Sequence, residues 1–218
     1  MMTTTEKMVA LMRRLRIEMN GAVTDAMREY GGGQRGYGVN YGVSLPTIKE
    51  VARSYAPDHD LAQTLWRQDI REMKLAALFI DDPAAVTAEQ MERWGAEWPI
   101  PELAEQCAMQ LFWRSPDALP TAAKWGARPA AEAPLLRLAA FYMLGKLAAV
   151  ETVPDSAFGT LLDDRSVFGP EAVERSVAYA LRECYRHRPA LREQVMQTLS
   201  HIPAETAEEV RWQVEYLA

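Results

Sequence analysis

The stretch Leu136-Arg137-Leu138-Ala139-Ala140-Phe141 decides the fold, because its small-residue centre returns in three other parts of the chain. The related segments are Met73-Lys74-Leu75-Ala76-Ala77-Leu78, Glu105-Gln106-Cys107-Ala108-Met109-Gln110 and Arg175-Ser176-Val177-Ala178-Tyr179-Ala180. Their alanines, at positions 76, 108, 139 and 178, lie 32, 31 and 39 residues apart. Such periods are typical of helical repeats, in which small residues let neighbouring helices approach closely. The sequence therefore predicts an all-α solenoid of stacked antiparallel helix pairs, and an irregular helical bundle is the alternative.

Apolar residues between these segments recur three and four positions apart, which is the period of an amphipathic helix. Candidate N-caps precede several of the helices, at Ser44, Asp58, Asp69 and Thr87. No strand-like alternation of useful length interrupts the pattern. We therefore expect helices joined by short turns along the chain.

The composition is that of a globular protein, with 49% hydrophobic and 25% charged residues in a chain of 218. This length suits one domain, which we expect to cover residues 1–218. No apolar run approaches the length needed to cross a bilayer, and the polar start, residues 1–7, is unlike a secretory signal. The expected location is cytoplasmic.

The few cysteines and histidines argue against a disulfide framework and a structural metal. Cys107 and Cys184 lie within helical patterns and are expected to be small core residues. The three histidines show no helical pairing and no neighbouring Cys-x-x-Cys motif. We expect neither a metal nor another cofactor.

The net charge of −6 is unevenly distributed along the chain. Residues 1–57 carry eight Lys or Arg against five Asp or Glu, whereas residues 151–218 carry seven against twelve. Any contact with a polyanion must therefore be local. Lys74, Arg137 and Arg182 recur on the small-centred helices, so a basic groove could follow a phosphate backbone. The alternative is that they are ordinary solvated charges.

A glycine-rich segment, residues 31–42, holds six of the twelve glycines. It lacks the Gly-Lys-Ser/Thr ending of a phosphate-binding P-loop, which disfavours nucleotide binding. Arg35, Tyr37 and Tyr41 lie among its glycines and would suit contact with nucleic acid. A flexible connector is the alternative.

Two further features have both a structural and a functional interpretation. The six tryptophans, Trp98 among them, suit core anchors, although one or two could stack on bases. Glu102 and Glu105 share a helix face after Pro101, where carboxylates complement the helix dipole or support acid–base chemistry.

Taken together, several segments resemble the AlkD-like DNA alkylation repair family. The resemblance covers residues 37–187 and depends on the order and spacing of Tyr41-Gly42-Val43-Ser44-Leu45-Pro46, Leu65-Trp66-Arg67, Arg71-Glu72-Met73-Lys74-Leu75-Ala76, Met91-Glu92-Arg93-Trp94, Glu105-Gln106-Cys107, Arg137-Leu138-Ala139 and Tyr179-Ala180-Leu181-Arg182. It implies a HEAT-like α-solenoid that binds double-stranded DNA. It also implies a cofactor-free DNA glycosylase, a hydrolase that removes cationic N-alkylated purines.

The resemblance also assigns roles to residues. The family's catalytic aspartate falls at Glu105, and the tryptophan one turn before it falls at Pro101, so Trp98 is the candidate for the missing ring. Its later groove tryptophan falls at Tyr179. Arg137 matches its groove arginine, and Arg182 is a second candidate.

Pro101, Glu105 and the acidic pI of about 5.2 also motivate a non-catalytic alternative. In that hypothesis the solenoid binds DNA structure or a protein partner, without a membrane or a metal.

Overall fold

The computed structural model describes residues 2–30, 36–129, 131–163, 171–201 and 204–217. Helices dominate these ranges. Between helices, Val39 and Ile70 form an isolated parallel bridge. The all-α prediction is confirmed. Within the described ranges no helix is both long enough and apolar enough to cross a membrane.

The chain divides into two compact units, Met1–Val86 and Thr87–Ala218. The expectation of one repeat domain over residues 1–218 stays a prediction. The first unit contains α1 (Thr4–Ile17), α2 (Gly21–Tyr30), α3 (Leu45–Arg53), α4 (His59–Trp66), α5 (Arg71–Ile80) and a 3-10 turn at Pro83–Ala85.

Local capping chemistry starts the helices of the first unit. Thr3 and Glu6 form a capping box at α1, the Ser44 side chain accepts from the amide of Thr47, and Asp58 accepts from the amide of Leu61. The predicted cap at Asp69 is wrong. Its carboxylate accepts from the amide of Gly38 at 3.0 Å, and α5 begins after Ile70 without a side-chain cap.

α5 is the central helix of the first unit and packs against α3 and α4. Nine of its ten residues are buried, including Arg71, Glu72 and Lys74. The Glu72 carboxylate accepts from the amides of Tyr41 at 3.0 Å and Val43 at 3.2 Å. Arg71 donates to the same carboxylate at 3.1 Å. These bonds hold the residues before α3 against α5.

The second unit contains α6 (Ala88–Gly95), α7 (Pro101–Gln106), a π-helical segment (Cys107–Leu111), a 3-10 turn (Phe112–Arg114), α8 (Ala118–Gly126), α9 (Pro134–Ala148), a 3-10 turn (Asp155–Phe158), α10 (Gly159–Asp163), α11 (Glu171–His187), a 3-10 turn (Pro189–Leu191), α12 (Arg192–Leu199) and α13 (Ala204–Leu217). Its core is built around α9, which packs against α7, α8 and α11. α9 is apolar on nearly every face because neighbours surround it.

Candidate nucleic-acid interface

Three of the small-centred helices are neighbours in the second unit. α9 packs against both α7 and α11. Small side chains permit this approach, because Ala104, Ala139 and Ala180 are fully buried. Polar side chains that are far apart in sequence consequently meet on these helices. We call Glu105, Tyr142, Arg175 and Tyr179 the carboxylate cluster.

Glu105 is the acid of the carboxylate cluster and lies in α7. Its side chain is half-buried, and burial raises the pKa of its carboxyl above the usual value, with the charge of Glu102 adding to the rise. Arg175 and a hydrogen bond from Tyr142 lower the pKa without cancelling the rise. The protein therefore holds this carboxylate in surroundings less polar than water, where a nearby cation is attracted more strongly.

Tyr142 supports Glu105 from α9. Burial, followed by the charge of Glu105, raises the pKa of Tyr142 to about 12. The phenol therefore keeps its proton at neutral pH and donates its hydrogen bond to the Glu105 carboxylate. Tyr142 and Glu105 therefore influence each other's protonation.

Tyr179 extends the cluster on α11, and Gly145 makes room for it. The centroids of the Tyr142 and Tyr179 rings are 5.5 Å apart with an interplanar angle of 48°. A Cβ at Gly145 would lie 2.4 Å from Cε1 and 2.6 Å from Cδ1 of Tyr179. Glycine in α9 therefore lets the Tyr179 ring lie directly against the helix backbone.

A row of arginines continues from Tyr179 along α11. Along α11 the order is Arg175, Tyr179, Arg182 and Arg186, with steps of four, three and four residues. This spacing places all four side chains on one helix face. The Arg182 guanidinium lies 5.0 Å from the centroid of the Tyr179 ring, and its Nε donates to Glu183 at 2.8 Å. We call these three arginines the α11 stripe.

Lys146 adds a further cation one turn after Tyr142 on α9. Its Nζ lies 5.0 Å from the centroid of the half-buried Trp113 ring. The Trp113 indole in turn donates to the carbonyl of Met109 at 3.1 Å. This bond fixes the ring on which Lys146 rests.

The π-helical segment Cys107–Leu111 begins two residues after Glu105. The wider π turn shifts the residues after it relative to the α-helical positions before it. Segments of this kind recur at functional sites. Glu105 lies before the π-helical segment and Trp113 lies after it. The shift therefore changes the position of Trp113 around the helix axis relative to Glu105.

The arrangement pairs a site for a cation with a site for anions. A half-buried carboxylate beside Tyr142, whose ring packs against Tyr179, favours a positively charged planar group, through the carboxylate charge and the ring faces. The α11 stripe and Lys146 favour phosphates. A cationic base within a phosphate backbone combines both chemical requirements.

The comparison with known families agrees with this chemistry. The family described as "DNA alkylation repair enzyme" matches residues 11–211 of the chain. The chain belongs to this family. The resemblance predicted from the sequence is therefore confirmed.

A solved structure supports the fold of this family member. It is described as "A new family of proteins related to the HEAT-like repeat DNA glycosylases with affinity for branched DNA structures". The similarity covers 94% of this chain and 93% of that one, with a TM-score of 0.77 and 16% sequence identity. The predicted HEAT-like fold is thereby confirmed. No curated protein matches the sequence.

Arg137 does not lie where the family resemblance predicted. Its side chain is 1% exposed, its guanidinium donates to the carbonyl of Arg128, and it lies 5.6 Å from the centroid of the Phe141 ring. The predicted DNA contact is contradicted, because a phosphate cannot reach this group in the structure. Arg137 is instead part of the core around α9.

Lys74 and Tyr41, which the sequence placed at a DNA surface, are core residues of the first unit. The Lys74 ammonium donates to the carbonyl of Trp66 at 2.8 Å and lies 4.6 Å from the centroid of its ring. Tyr41 is buried and held through its amide by Glu72. Burial removes both side chains from any phosphate in this structure.

Trp98 is also a core residue. Its ring lies 5.7 Å from that of Trp125 and 6.2 Å from that of Phe112, measured between centroids, and the residue is 7% exposed. It is therefore not available as an aromatic wall. Arg35 lies outside the described residues.

From the predicted set, the structure links Glu105 to Tyr179 through Tyr142 and packs Arg182 against Tyr179. Arg175 lies on the same face of α11. The helical spacing of Arg175, Tyr179 and Arg182 could have revealed the stripe in the sequence. No comparable signal marks Tyr142, because its role depends on α7 lying beside α9. Among the described residues, no group of His, Cys, Asp and Glu side chains could hold a metal ion.

Proposed function

We propose that this family member is a DNA-binding repair protein whose second unit contacts the lesion. The proposal is supported by its family and by the cations of the α11 stripe and Lys146. These side chains come from two adjacent helices. Lys146 lies over the Trp113 ring and Arg182 lies over the Tyr179 ring. Local cations of this kind can bind a phosphate backbone even though the whole chain is acidic.

We further propose that it releases cationic N-alkylated purines from duplex DNA as a glycosylase. The observation that carries this proposal is the half-buried Glu105 carboxylate, which interacts with Tyr142, whose ring in turn lies against that of Tyr179. A fixed carboxylate in a poorly solvated site stabilises positive charge that develops during a reaction. An alkylated purine is already cationic, so its departure requires no general acid.

The reaction follows from this charge distribution. The bond between sugar C1′ and the purine nitrogen breaks, and its electron pair neutralises the departing base. Glu105 stabilises the positive charge left on the sugar, and water then adds to C1′ and loses a proton. Tyr142 is the positioning residue that directs the carboxylate, and Tyr179 offers a ring face to the sugar or base. No metal or other cofactor enters this sequence.

A base-release assay tests the activity with a matched pair of variants. The substrate is duplex DNA that contains N7-methylguanine or N3-methyladenine, at a concentration that saturates the protein. Wild type should release base faster than the spontaneous reaction. Glu105→Gln should lower the enzymatic rate by about 100-fold or more, because removal of one preorganised electrostatic group typically has an effect of this size. Glu102→Gln should retain most of the rate, because the Glu105 carboxylate is still present.

Release at the spontaneous rate by saturated wild type would reject catalysis and leave binding intact. Equal rates for wild type and Glu105→Gln would reject the assigned role of Glu105.

A second candidate function is non-catalytic binding of DNA structure. The observation that favours it is Pro101, which occupies the first turn of α7 and leaves Glu105 without an aromatic residue one turn earlier. The solved relative, described as having affinity for branched DNA, is a precedent. Competition between a four-way junction and its component duplex tests this function. Preference for the junction, without base release, would support it, and failure to bind any DNA at low salt would favour a protein partner.

A further inference from the structure

A carboxylate lies within the basic part of α11, at Glu183. The residue is only 8% exposed, although its neighbours Arg186 and His187 are exposed. Its Oε1 accepts a hydrogen bond from Nε of Arg182 at 2.8 Å and lies 3.7 Å from Nη1 of Arg186. Its Oε2 lies 3.4 Å from Nε2 of His187. Three basic side chains therefore surround one buried acid.

An acid at this place opposes simple charge attraction between the α11 stripe and DNA. Its negative charge cancels one of the two positive charges that Arg182 and Arg186 carry, and it repels a phosphate that approaches them. A neutral residue at position 183 would leave the stripe more positive. If the stripe binds phosphates, Glu183 must therefore contribute something other than charge.

The contacts of Glu183 bring two guanidinium groups to one place. Nε of Arg182 and Nη1 of Arg186 both approach Oε1, so these nitrogens can be no farther apart than the sum of the two distances. Two cations this close repel each other, and the shared carboxylate offsets that repulsion. Arg182 is also held from a second side, because its guanidinium lies 5.0 Å from the centroid of the Tyr179 ring. The planar group is thereby fixed, and with it the directions of its N–H donors.

We propose that Glu183 is a positioning residue, which gathers Arg182 and Arg186 into a two-arginine site for one phosphate of the DNA backbone. A guanidinium that is already oriented loses less side-chain freedom when it binds. The charge-assisted hydrogen bonds that it donates to a phosphate depend on that orientation. The inference rests on the proposed DNA binding and is independent of the proposed base release.

The duplex affinity of Glu183→Gln tests this role, because positioning and charge predict changes of opposite sign. Glutamine keeps the size of the side chain but removes the charge that offsets the repulsion between the guanidiniums. If Glu183 positions the arginines, the variant should bind an undamaged duplex about tenfold more weakly than wild type, the effect of losing one charge-assisted hydrogen bond. If the carboxylate only repels phosphates, the variant should bind more tightly. Equal or tighter binding would overturn the proposal.

Two further proteins separate positioning from a general loss of structure. Glu193→Gln removes the same charge from an exposed position on α12 and should bind duplex at least as tightly as wild type. In an Arg182→Gln/Arg186→Gln background, Glu183→Gln should no longer weaken binding, because the groups that it positions are absent. An equal loss with and without the two arginines would show that Glu183 does not act through them.

Glu183→Asp provides a second variant in case Glu183→Gln does not fold. It keeps the charge and withdraws the carboxylate by one methylene from the two guanidiniums, so it should also weaken duplex binding. Wild-type affinity in Glu183→Asp would count against the positioning role. If wild type binds no duplex at low salt, the proposed DNA binding fails and the positioning role fails with it. If wild type binds and the Glu183 variants bind equally well, only the positioning role is rejected.

Discussion

Glu105 shows how a half-buried carboxylate can lower the stability of the fold that carries it. Its folded pKa is raised, chiefly by burial, so the native state binds this proton more tightly than the unfolded chain. As pH rises from the ordinary glutamate value through the raised one, the unfolded state ionises first and the native state loses stability. The carboxylate therefore destabilises the protein at pH 7.

This sign leads to a stability prediction for Glu105→Gln. The variant should have a higher free energy of unfolding than wild type at pH 7, because glutamine still accepts the Tyr142 hydrogen bond and carries no charge. The gain should vanish below about pH 4, where the carboxyl is protonated in both states. Urea unfolding at several pH values measures it. A variant less stable than wild type at pH 7 would contradict this description of the site.

Gly145 provides a second test at the scale of one residue. Gly145→Ala places a Cβ 2.4 Å from the Tyr179 ring, so the ring must move. We expect a loss of about 1–3 kcal/mol in unfolding free energy and weaker binding of DNA that contains a cationic base. Gly21→Ala is the control, since nothing lies within 4 Å of its Cβ position. Equal stabilities for the two variants would show that Tyr179 does not depend on the glycine.

Residue types predicted this site only in part. Family order and spacing predicted Glu105, Tyr179 and Arg182. Arg137 and Lys74 were also predicted at the surface because they are cationic, but both are buried. Long side chains can bury their stems and satisfy their cationic ends with carbonyls and aromatic rings. Sequence alone does not separate that arrangement from a phosphate contact.

At the scale of elements, the end of α9 depends on a distant arginine. The buried Arg188 guanidinium donates to the carbonyls of Ala148 at 2.7 Å and Leu147 at 3.3 Å, near the α9 C-terminus. It also donates to Val153 at 2.7 Å and lies 5.2 Å from the centroid of the Phe158 ring. One cation therefore adds donors to carbonyls in the last turn of α9, where partners within the helix run out.

Replacement of this cation should be strongly destabilising. Arg188→Met removes every donor while keeping an apolar stem, so we expect a loss of at least about 3 kcal/mol in unfolding free energy. The exposed Arg192→Met should change it by less than about 0.5 kcal/mol. Chemical denaturation of both variants measures the difference. A loss below about 1 kcal/mol for Arg188→Met would mean that α9 does not need this cap.

The helices themselves were predicted better than their ends. Ser44 and Asp58 cap α3 and α4 as their sequence context predicts, because an N-cap is a local interaction. Asp69 has the same side chain but binds the Gly38 amide, 31 residues away. The π-helical segment was not predicted either, because the apolar spacing before and after it still fits an ordinary helix.

At the scale of the whole chain, the pattern of small residues predicted the repeat fold. The solved relative shares 16% sequence identity with this chain at a TM-score of 0.77. The fold can therefore persist when most side chains change, provided that small and apolar residues recur where helices pack. The division into two units was not predicted, because the break between α5 and α6 resembles the other turns between helices.

The central claim is that Glu105 gives the protein its preference for a cationic lesion. The most direct measurement compares affinity for two duplexes that differ at one position, which carries either a cationic azasugar or a neutral tetrahydrofuran abasic site. Wild type should prefer the cationic duplex by about tenfold, equivalent to about 1.4 kcal/mol, and Glu105→Gln should bind both equally. A preference that survives in Glu105→Gln, or is absent from wild type, would contradict the claim.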